Sequence, residues 1–217
     1  MHVNDYQLSG VANAVVLRGF GGGGHGGDIA ATLDGITLNE AMSHADGYFD
    51  LNVVVPLEVE EVTVHKGPVS VLQGNFNRAG LVALQTRRSG TYTEAQLQAG
   101  SHGTYDLQGA LGRQLGADDQ MFLAAQSYTT DGARPDADAR RHTLSGRSHH
   151  RVDSRLDFAL SARWHEARGD SPSYLTQAQW ERDPQGKDPR VQGDGSEKTF
   201  ATLRLDVNQR TKSCRVP

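Results

Sequence analysis

A glycine-rich stretch is the first place in this sequence where residue type and spacing point to chemistry. Residues 19–24 read GFGGGG and satisfy the G-x-G-x-x-G pattern of a dinucleotide-binding turn, and the acidic Glu40 follows about twenty residues later. Such a site needs its glycines to open a helix whose N-terminus holds the pyrophosphate. Here the glycines continue through His25 into IAATLDG, which is typical of a short strand and an Asp-Gly turn. We therefore interpret the stretch as a loop.

The histidine, cysteine and carboxylate residues show no catalytic or metal-binding pattern. His25 and His44 lie in predicted loops, and the adjacent pair at 149–150 would point to opposite faces of a strand. Neither an H-E-x-x-H zinc motif nor a G-x-S-x-G nucleophile elbow occurs, and the single cysteine has no reactive setting. Turn and capping roles explain the aspartates of the first half. The sequence predicts no enzyme, no metal site and no cofactor.

Composition limits the function classes further. The net charge of −4 argues against nucleic-acid binding, which needs a basic face to neutralise phosphates. No run reaches the ~18 apolar residues of a membrane-spanning helix. The first residues, MHVNDYQLSG, lack the pattern of a signal peptide. These features suggest a cytosolic protein, but a β-barrel membrane protein would share the lack of long apolar runs.

The elements that position any site change character near Arg88. Up to that residue, short apolar runs separated by glycine predict a small α+β domain with little helix. Residues 39–51 are a weak helix or loop candidate, and a Gly-Pro turn followed by a short helical turn is predicted at 67–74. The predicted strands are Val11–Leu17, Ile29–Leu33, Val59–Val64 and Leu81–Thr86.

After Arg88 hydrophobicity alternates with period two, which predicts half-buried strands of about ten residues. Tight polar turns are predicted at 115–119 and 150–153, and long loops at 130–140 and 166–197. An outer-membrane barrel and a soluble antiparallel sandwich both fit this pattern. The six strand candidates lie at 91–100, 104–114, Gln120–Thr129, Arg141–Ser148, Ser154–His165 and Lys198–Gln209, and Tyr92 interrupts the alternation of the first.

Four motifs follow one another in the first domain, namely VLRGF at 16–20, LDGIT at 33–37, VEEVTVHKGPVSVLQG at 59–74 and AGLVALQTR at 79–87. Together they resemble the plug domain of TonB-dependent outer-membrane receptors. VLRGF is similar to the family's I-R-G-F, and LDGIT to its V-D-G-I/V-P. VEEVTVHKGPVSVLQG at 59–74 is similar to I-E-R-I-E-V-L-R-G-P-x-S-x-L-Y-G, and AGLVALQTR at 79–87 to G-G-V-I-N-I-x-T-K/R. The matched motif residues include Arg18, Gly19, Asp34, Gly35, Lys66, Gly67, Pro68, Gly74 and Gly80.

The resemblance implies an α+β plug domain at 1–88, the first six strands of an incomplete outer-membrane β-barrel at 89–210, and an irregular tail at 211–217. It implies energy-coupled uptake of a scarce ligand such as an iron chelate or cobalamin, without catalysis or a cofactor. The implied partners are the TonB energy-transducing complex, the small-molecule ligand and the outer membrane, with no nucleic acid. Outward-facing plug loops would contact the ligand, which makes candidates of Arg18, His25, Asn39, His44 and Tyr48.

Length limits this interpretation, because a plugged outer-membrane transporter needs about 22 strands. Six strands would leave two open edges, which hydrocarbon does not tolerate. We therefore expect a fragment that neither inserts into a membrane nor transports alone. We also expect it to lack the N-terminal energy-coupling box of the family, and not to be exported if it has no signal peptide. A soluble β-rich binding or adhesion protein is the alternative.

Overall fold

The computed structural model describes residues 2–4, 14–20, 27–41, 47–68, 71, 74–88, 90–191 and 193–210. Among these residues no helix has the length and apolarity that crossing a membrane would require. The described structure contains three sheets. The strands are β1 (His2–Asn4), β2 (Ala14–Val16), β3 (Ile29–Leu33), β4 (Ile36–Thr37), β5 (Val59–Lys66), β6 (Gly80–Thr86), β7 (Tyr92–Gly100), β8 (Thr104–Gln114), β9 (Asp119–Thr130), β10 (Ala139–Arg151), β11 (Leu156–Asp170) and β12 (Gly195–Gln209).

A four-stranded sheet with the order β4-β3-β6-β5 forms the centre of the first domain. β3 pairs with β6 in parallel, and β5 pairs with β6 antiparallel. The two central strands, IAATL and GLVALQT, are almost continuously apolar because both of their faces are covered. Their side chains form one core with Val15, Leu17, Leu38 and Phe49. β1 and β2 form a separate two-stranded antiparallel sheet.

The hairpin between β3 and β4 closes through a two-residue turn. Leu33 pairs with Ile36, and the two residues between them, Asp34 and Gly35, have φ angles of 49° and 82°. Positive φ at both central positions is what a type I′ turn requires, and Asp-Gly is a preferred sequence for it. The motif residues Arg18 and Gly19 also have positive φ angles, of 57° and 81°, in the turn that they form.

The remaining strands, β7 to β12, form one antiparallel sheet in which every strand pairs only with its neighbours in sequence. The strands lengthen along the chain, from 9 residues in β7 to 15 in β11 and β12. Short turns of 115–118 and 152–155 connect one end of this sheet. The longer loops 131–138 and 171–194 lie at the other end, as does the short turn at 101–103. We call this sheet the wall and the first domain the plug.

The two faces of the wall differ in what covers them. The inner face is polar and packs on the plug, so that Gln108, Gln126, Thr143 and Ser145 are buried there. The outer face carries large apolar side chains that remain exposed. The alternation predicted from the sequence therefore has an apolar face turned away from the plug and a polar face turned towards it.

Several elements differ from the sequence prediction. β11 continues to Asp170, five residues beyond the predicted end, and a short helix α1 (Gln177–Arg182) lies in the predicted loop. In the candidate helix or loop at 39–51, the described residues up to Asp50 form a loop with an isolated bridge between Asn39 and Phe49, which agrees with the loop alternative. Tyr92 lies on the inner face, where it packs near Val55 and Phe122, and this contact explains an aromatic residue on the polar face. The predicted tail at 211–217 lies outside the described residues, as does most of the predicted helical turn before Gly74.

Candidate functional site

The plug motifs meet one another through hydrogen bonds that are specific to their residue types. The Asp34 carboxylate accepts hydrogen bonds from the backbone N–H of Thr86 at 3.0 Å and from its hydroxyl at 2.7 Å. These bonds join the LDGIT motif to the end of AGLVALQTR. The Gly67 N–H donates to the Ala79 carbonyl at 2.7 Å and so joins the KGP turn to the same motif. Asp34, Thr86 and Gly67 thus have structural roles in joining the motifs of the plug sheet.

Gly80 is the tightest of these motif positions. Its φ is +145°, and a Cβ built on it would lie 2.0 Å from the carbonyl oxygen of His65 on the neighbouring strand. No side chain fits between backbones at that distance. Gly80 therefore allows β5 and β6 to pair at the point where β5 ends.

Strand register defines which end of the plug faces the long loops of the wall. Ile29 and Lys66 both pair with Gly80, so these residues share one end of the plug sheet, which we call the apical end. Thr86 lies at the opposite, basal end and leads directly into β7. Because β7 begins beside the tight turns of the wall, the basal end lies on the side of those turns and the apical end on the side of the long loops.

Three of the five predicted contact residues lie within the described part of the plug. Arg18 is exposed, and its guanidinium lies 4.0 Å from the position that a Cβ on Gly67 would occupy at the apical end. Tyr48 is half-buried, and the Lys198 Nζ of the wall lies 5.7 Å from its ring centroid. The two histidines, His25 and His44, lie outside the described residues.

Asn39, the third described residue, has an amide that is used fully by the backbone. Its Nδ2 donates to the carbonyls of Ile29 and Gly47, each at 2.9 Å, and its Oδ1 accepts from the Ala31 N–H at 2.7 Å. The neighbouring Glu40 N–H donates to the Tyr48 carbonyl at 2.8 Å. The structure thus brings Asn39 and Tyr48 together, and Asn39 holds the segment that presents Tyr48.

A buried ion pair fastens the basal half of the plug to the wall. Glu58 is fully buried, and its Oε1 lies 2.6 Å from the Arg163 Nη2 of β11. The same oxygen accepts from the Val55 N–H at 3.0 Å, and Oε2 accepts from the Ser145 hydroxyl. Arg163 also donates to the Val53 carbonyl at 2.8 Å. The carboxylate and the guanidinium therefore compensate each other's charge inside a buried contact.

Two further contacts join the plug to the inner face of the wall. Lys198 of β12 reaches Glu40 at 2.5 Å and Asp50 at 3.5 Å. Arg204 of the same strand donates to the carbonyl of Asp34. No motif of the sequence identified Lys198, Arg204, Glu58 or Arg163, although the period-two alternation does assign the three wall residues to the inner face.

The long loops of the wall at the apical side are tied to one another. The Arg134 guanidinium donates to the Gly186 carbonyl at 2.8 Å and to the Ser173 carbonyl at 3.0 Å. Hydrogen bonds from the Arg190 side chain and backbone hold the pKa of the Asp188 carboxyl well below its usual range. These loops carry two exposed aromatic residues, Tyr174 and Trp180. Strand topology puts these aromatic and polar groups at the same end of the wall as the apical end of the plug.

Two further features of the site are its titratable side chains and the cavity between the plug and the wall. In the part of the chain that the structure describes, no three His, Cys, Asp or Glu side chains converge as metal ligands. A cavity of about 40 Å³ lies between plug and wall and is lined by Asp34, Thr86, Arg147 and Arg204 among others. Glu58, Arg163 and Arg204, which join the plug to the wall, also line this cavity.

Comparison with known proteins agrees with this architecture. Residues 2–81 match the family model of the TonB-dependent receptor plug domain. The ferripyoverdine receptor FpvA of Pseudomonas aeruginosa is similar over 98% of this chain, with 15% identity and a TM-score of 0.69, and the chain spans 28% of that structure. The copper transporter OprC is similar over 78% of the chain, with 19% identity and a TM-score of 0.60, and the chain spans 27% of it.

A third similar structure is the ferric-catecholate import receptor Fiu of Escherichia coli K12, with 16% identity and a TM-score of 0.55. It matches 74% of this chain, and the chain spans 23% of it. The predicted fold class is confirmed by the plug sheet, the unclosed antiparallel wall and these matches. The chain therefore carries a TonB-dependent receptor plug domain, followed by antiparallel strands that have the fold of part of the receptor barrel.

Proposed function

We propose that this chain is part of an outer-membrane receptor that binds a scarce ligand, a metal chelate or a similar nutrient, for energy-coupled uptake. The observation that carries the proposal is the contrast between the two faces of the wall. Its outer face is apolar and exposed, whereas its inner face is polar and holds a plug through buried contacts. This is the distribution that a transmembrane barrel with a filled interior requires.

The apolar side chains of the outer face form a continuous band across the strands. Strand register places Trp164 beside Leu144 and Ala201, and the next row towards the tight turns contains Leu203 and Leu123. Charged residues follow the band on the side of the long loops, where Arg140, Arg168 and Glu197 share one row. The exposed large apolar side chains of this face are Leu97, Tyr105, Leu107, Leu123, Leu144, Leu160, Trp164, Leu203, Leu205 and Val207.

The height of the band fits a bilayer. In β11 the outward residues from Leu156 to Trp164 are all apolar, and eight residues of strand span roughly 27 Å at ~3.4 Å per residue. A strand tilt of about 40° reduces this to roughly 20 Å along the membrane normal, close to the ~25 Å apolar band of outer-membrane barrels. Short turns face the periplasm and long loops the exterior in such barrels, so the apical end of the plug would face outwards.

Ligand binding would take place at the apical end. The proposed contacts are Arg18, His25, His44 and Tyr48, together with the loops that carry Tyr174 and Trp180. Asn39, whose amide is used by the backbone, would position the segment that carries Tyr48 rather than contact the ligand itself. Receptors for ferripyoverdine and ferric catecholates and a copper transporter are among the similar structures, which supports a metal or metal chelate as the ligand class. The work would be binding followed by movement of the plug, driven by the TonB energy-transducing complex, without a catalytic step.

We also propose that these 217 residues act only as part of a larger barrel. Among the described residues, β7 and β12 each pair on one side only, and a bilayer offers no hydrogen bonds to the free edges. Further strands would complete the wall, and the chain alone would not transport. Cells that produce the chain alone should take up no more ferric chelate than cells without it.

Tryptophan fluorescence can test the lipid-facing assignment directly, because the chain has only two tryptophans. Trp164 lies in the apolar band, whereas Trp180 lies in the loop beyond it. The chain would be refolded in micelles of a detergent with brominated alkyl chains. We expect strong quenching in W180F, which retains Trp164, and weak quenching in the matched variant W164F, which retains Trp180.

The opposite pattern would contradict the proposal. A soluble β-rich binding or adhesion protein would fold without detergent, and bromine would then quench neither tryptophan. Equal quenching of Trp164 and Trp180 would indicate non-specific adsorption of the chain and would also remove the support for a lipid-facing wall.

A further inference from the structure

A second pocket lies at the basal end of the wall, far from the apical end of the plug. It is formed on the side of the tight turns and has a volume of about 650 Å³. This volume lies within the range of small-molecule sites. Its charged lining residues are Arg88, Arg147, His149, Arg151, Asp157 and Arg210.

The acidic group of this pocket is already neutralised. The Asp157 carboxylate accepts from the Asn208 amide at 2.8 Å and lies 3.3 Å from the His149 Nε2 and 3.5 Å from the Arg210 Nη2. In contrast, no ion pair or hydrogen bond of the Arg88 or Arg151 side chain occurs among the described residues. The pocket therefore has an excess of positive charge that the described chain does not balance.

Arg147 is the most enclosed cation of the pocket. Its side chain is only 11% exposed, and its nearest carboxylate oxygen, on Asp206, is 3.7 Å away. That carboxylate also accepts from the Arg204 Nε at 2.7 Å, so it is shared between two guanidinium groups. Among the described residues, its other hydrogen bond is to the Ser161 hydroxyl and is 3.3 Å long. A largely buried cation with a distant, shared counter-ion is costly unless another anion completes its coordination.

We propose that this basal pocket binds a small molecule that carries two or more oxyanion groups. Arg147 holds one oxyanion at the base of the pocket, and Arg88 and Arg151 hold another at its mouth. Guanidinium groups suit this role because their paired N–H donors match the oxygens of phosphate and carboxylate. The site is separate from the ligand contacts proposed above, and it does not depend on transport.

Calorimetry on the full chain in non-ionic detergent micelles tests this site, with pyrophosphate and citrate as probes at constant ionic strength. We expect one binding event per chain for at least one probe, and the preferred probe tells whether phosphate or carboxylate is the recognised group. Arg88→Gln and Arg151→Gln should each weaken binding about tenfold, since each removes a charge-assisted contact. Both side chains are exposed and unpaired among the described residues, so neither substitution should disturb folding.

Arg155→Gln is the matched control, because Arg155 is exposed at the same end of the wall but does not line the pocket. The affinity of the R155Q variant for the probes should stay within about twofold of the affinity of the unsubstituted chain. An equal loss in R155Q would overturn the proposal, because binding would then follow net charge alone. The absence of binding by both probes at millimolar concentration would also overturn it.

Discussion

Replacing Glu58 by glutamine removes one charge from the contact between plug and wall and changes little else. Glutamine has nearly the same shape and retains an oxygen that can accept the Val55 N–H now bound at 3.0 Å. The substitution leaves Arg163, whose side chain is 7% exposed, facing a neutral group. The Val53 carbonyl at 2.8 Å would remain as a partner of Arg163. The variant therefore measures the cost of an uncompensated cation at this interface.

The expected cost is large because both partners are buried. Removing one member of a buried ion pair typically destabilises a protein by about 3–5 kcal/mol, and the retained hydrogen bonds favour the lower limit, about 3 kcal/mol. A urea m-value of about 2–3 kcal/mol per M converts this loss into a decrease of the unfolding midpoint by roughly 1 M. The double variant Glu58→Gln with Arg163→Met should recover part of the loss, because it also removes the unpaired charge.

Urea unfolding in detergent micelles, followed by circular dichroism, provides the measurement. Glu197→Gln is the matched control, since it removes the same charge from the exposed pair between Glu197 and Arg168, whose side chains are 77% and 64% exposed. Exposed pairs contribute about 0–1 kcal/mol, so its midpoint should shift by less than about 0.5 M. Equal shifts in the two variants would refute the reasoning that the pair at Glu58 holds the plug.

Two further predictions concern the plug sheet and the long loop. Gly80→Ala should lower the free energy of unfolding by at least about 3 kcal/mol in the same urea assay, because its Cβ would lie 2.0 Å from the His65 carbonyl oxygen. Gly109→Ala is the control. The nearest atom to its Cβ would be 4.0 Å away, so its unfolding midpoint should shift little. The depressed pKa of Asp188 stabilises the loop above the unfolded pKa of about 3.9, and this contribution should be lost as pH falls below that value. Trp180 emission in W164F should report the change, and D188N should abolish its pH dependence; an unchanged titration in D188N would contradict the assignment.

The wall could be predicted from the sequence because its two faces have different surroundings. Residues such as Leu160 and Arg163 differ in polarity according to the face on which they lie, and this produces the period of two. Strand ends were predicted less well, since Glu166 and Arg168 are polar on the outward face beyond the apolar band and therefore break the pattern. α1 was missed because no residue of this six-residue helix is buried, so that only the capping box at Thr176 marks it.

The plug and its contacts depended on information that periodicity does not contain. The resemblance of four motifs identified the domain, but the parallel pairing of β3 with β6 follows from no local pattern. The contact of Glu58 with Arg163 joins residues that lie far apart in the sequence. A glutamate at 58 does not indicate that its partner is an arginine at 163, so the sequence could not predict the pair. Lys198 and Arg204 could be assigned to the inner face, but their partners in the plug could not be predicted.

The strands of the wall pair only with their neighbours in sequence, whereas β3 and β6 of the plug pair in parallel across a long connection. This difference has a consequence for the order of folding. Each wall strand closes a short or moderate loop onto the preceding strand, whereas β3 must find β6 across about 50 residues. Closing a loop of that length costs roughly 2–3 kcal/mol more entropy than closing a three-residue turn. We therefore expect the wall hairpins to form early and the plug sheet late, so that the polar inner face would be a preformed template on which the plug assembles.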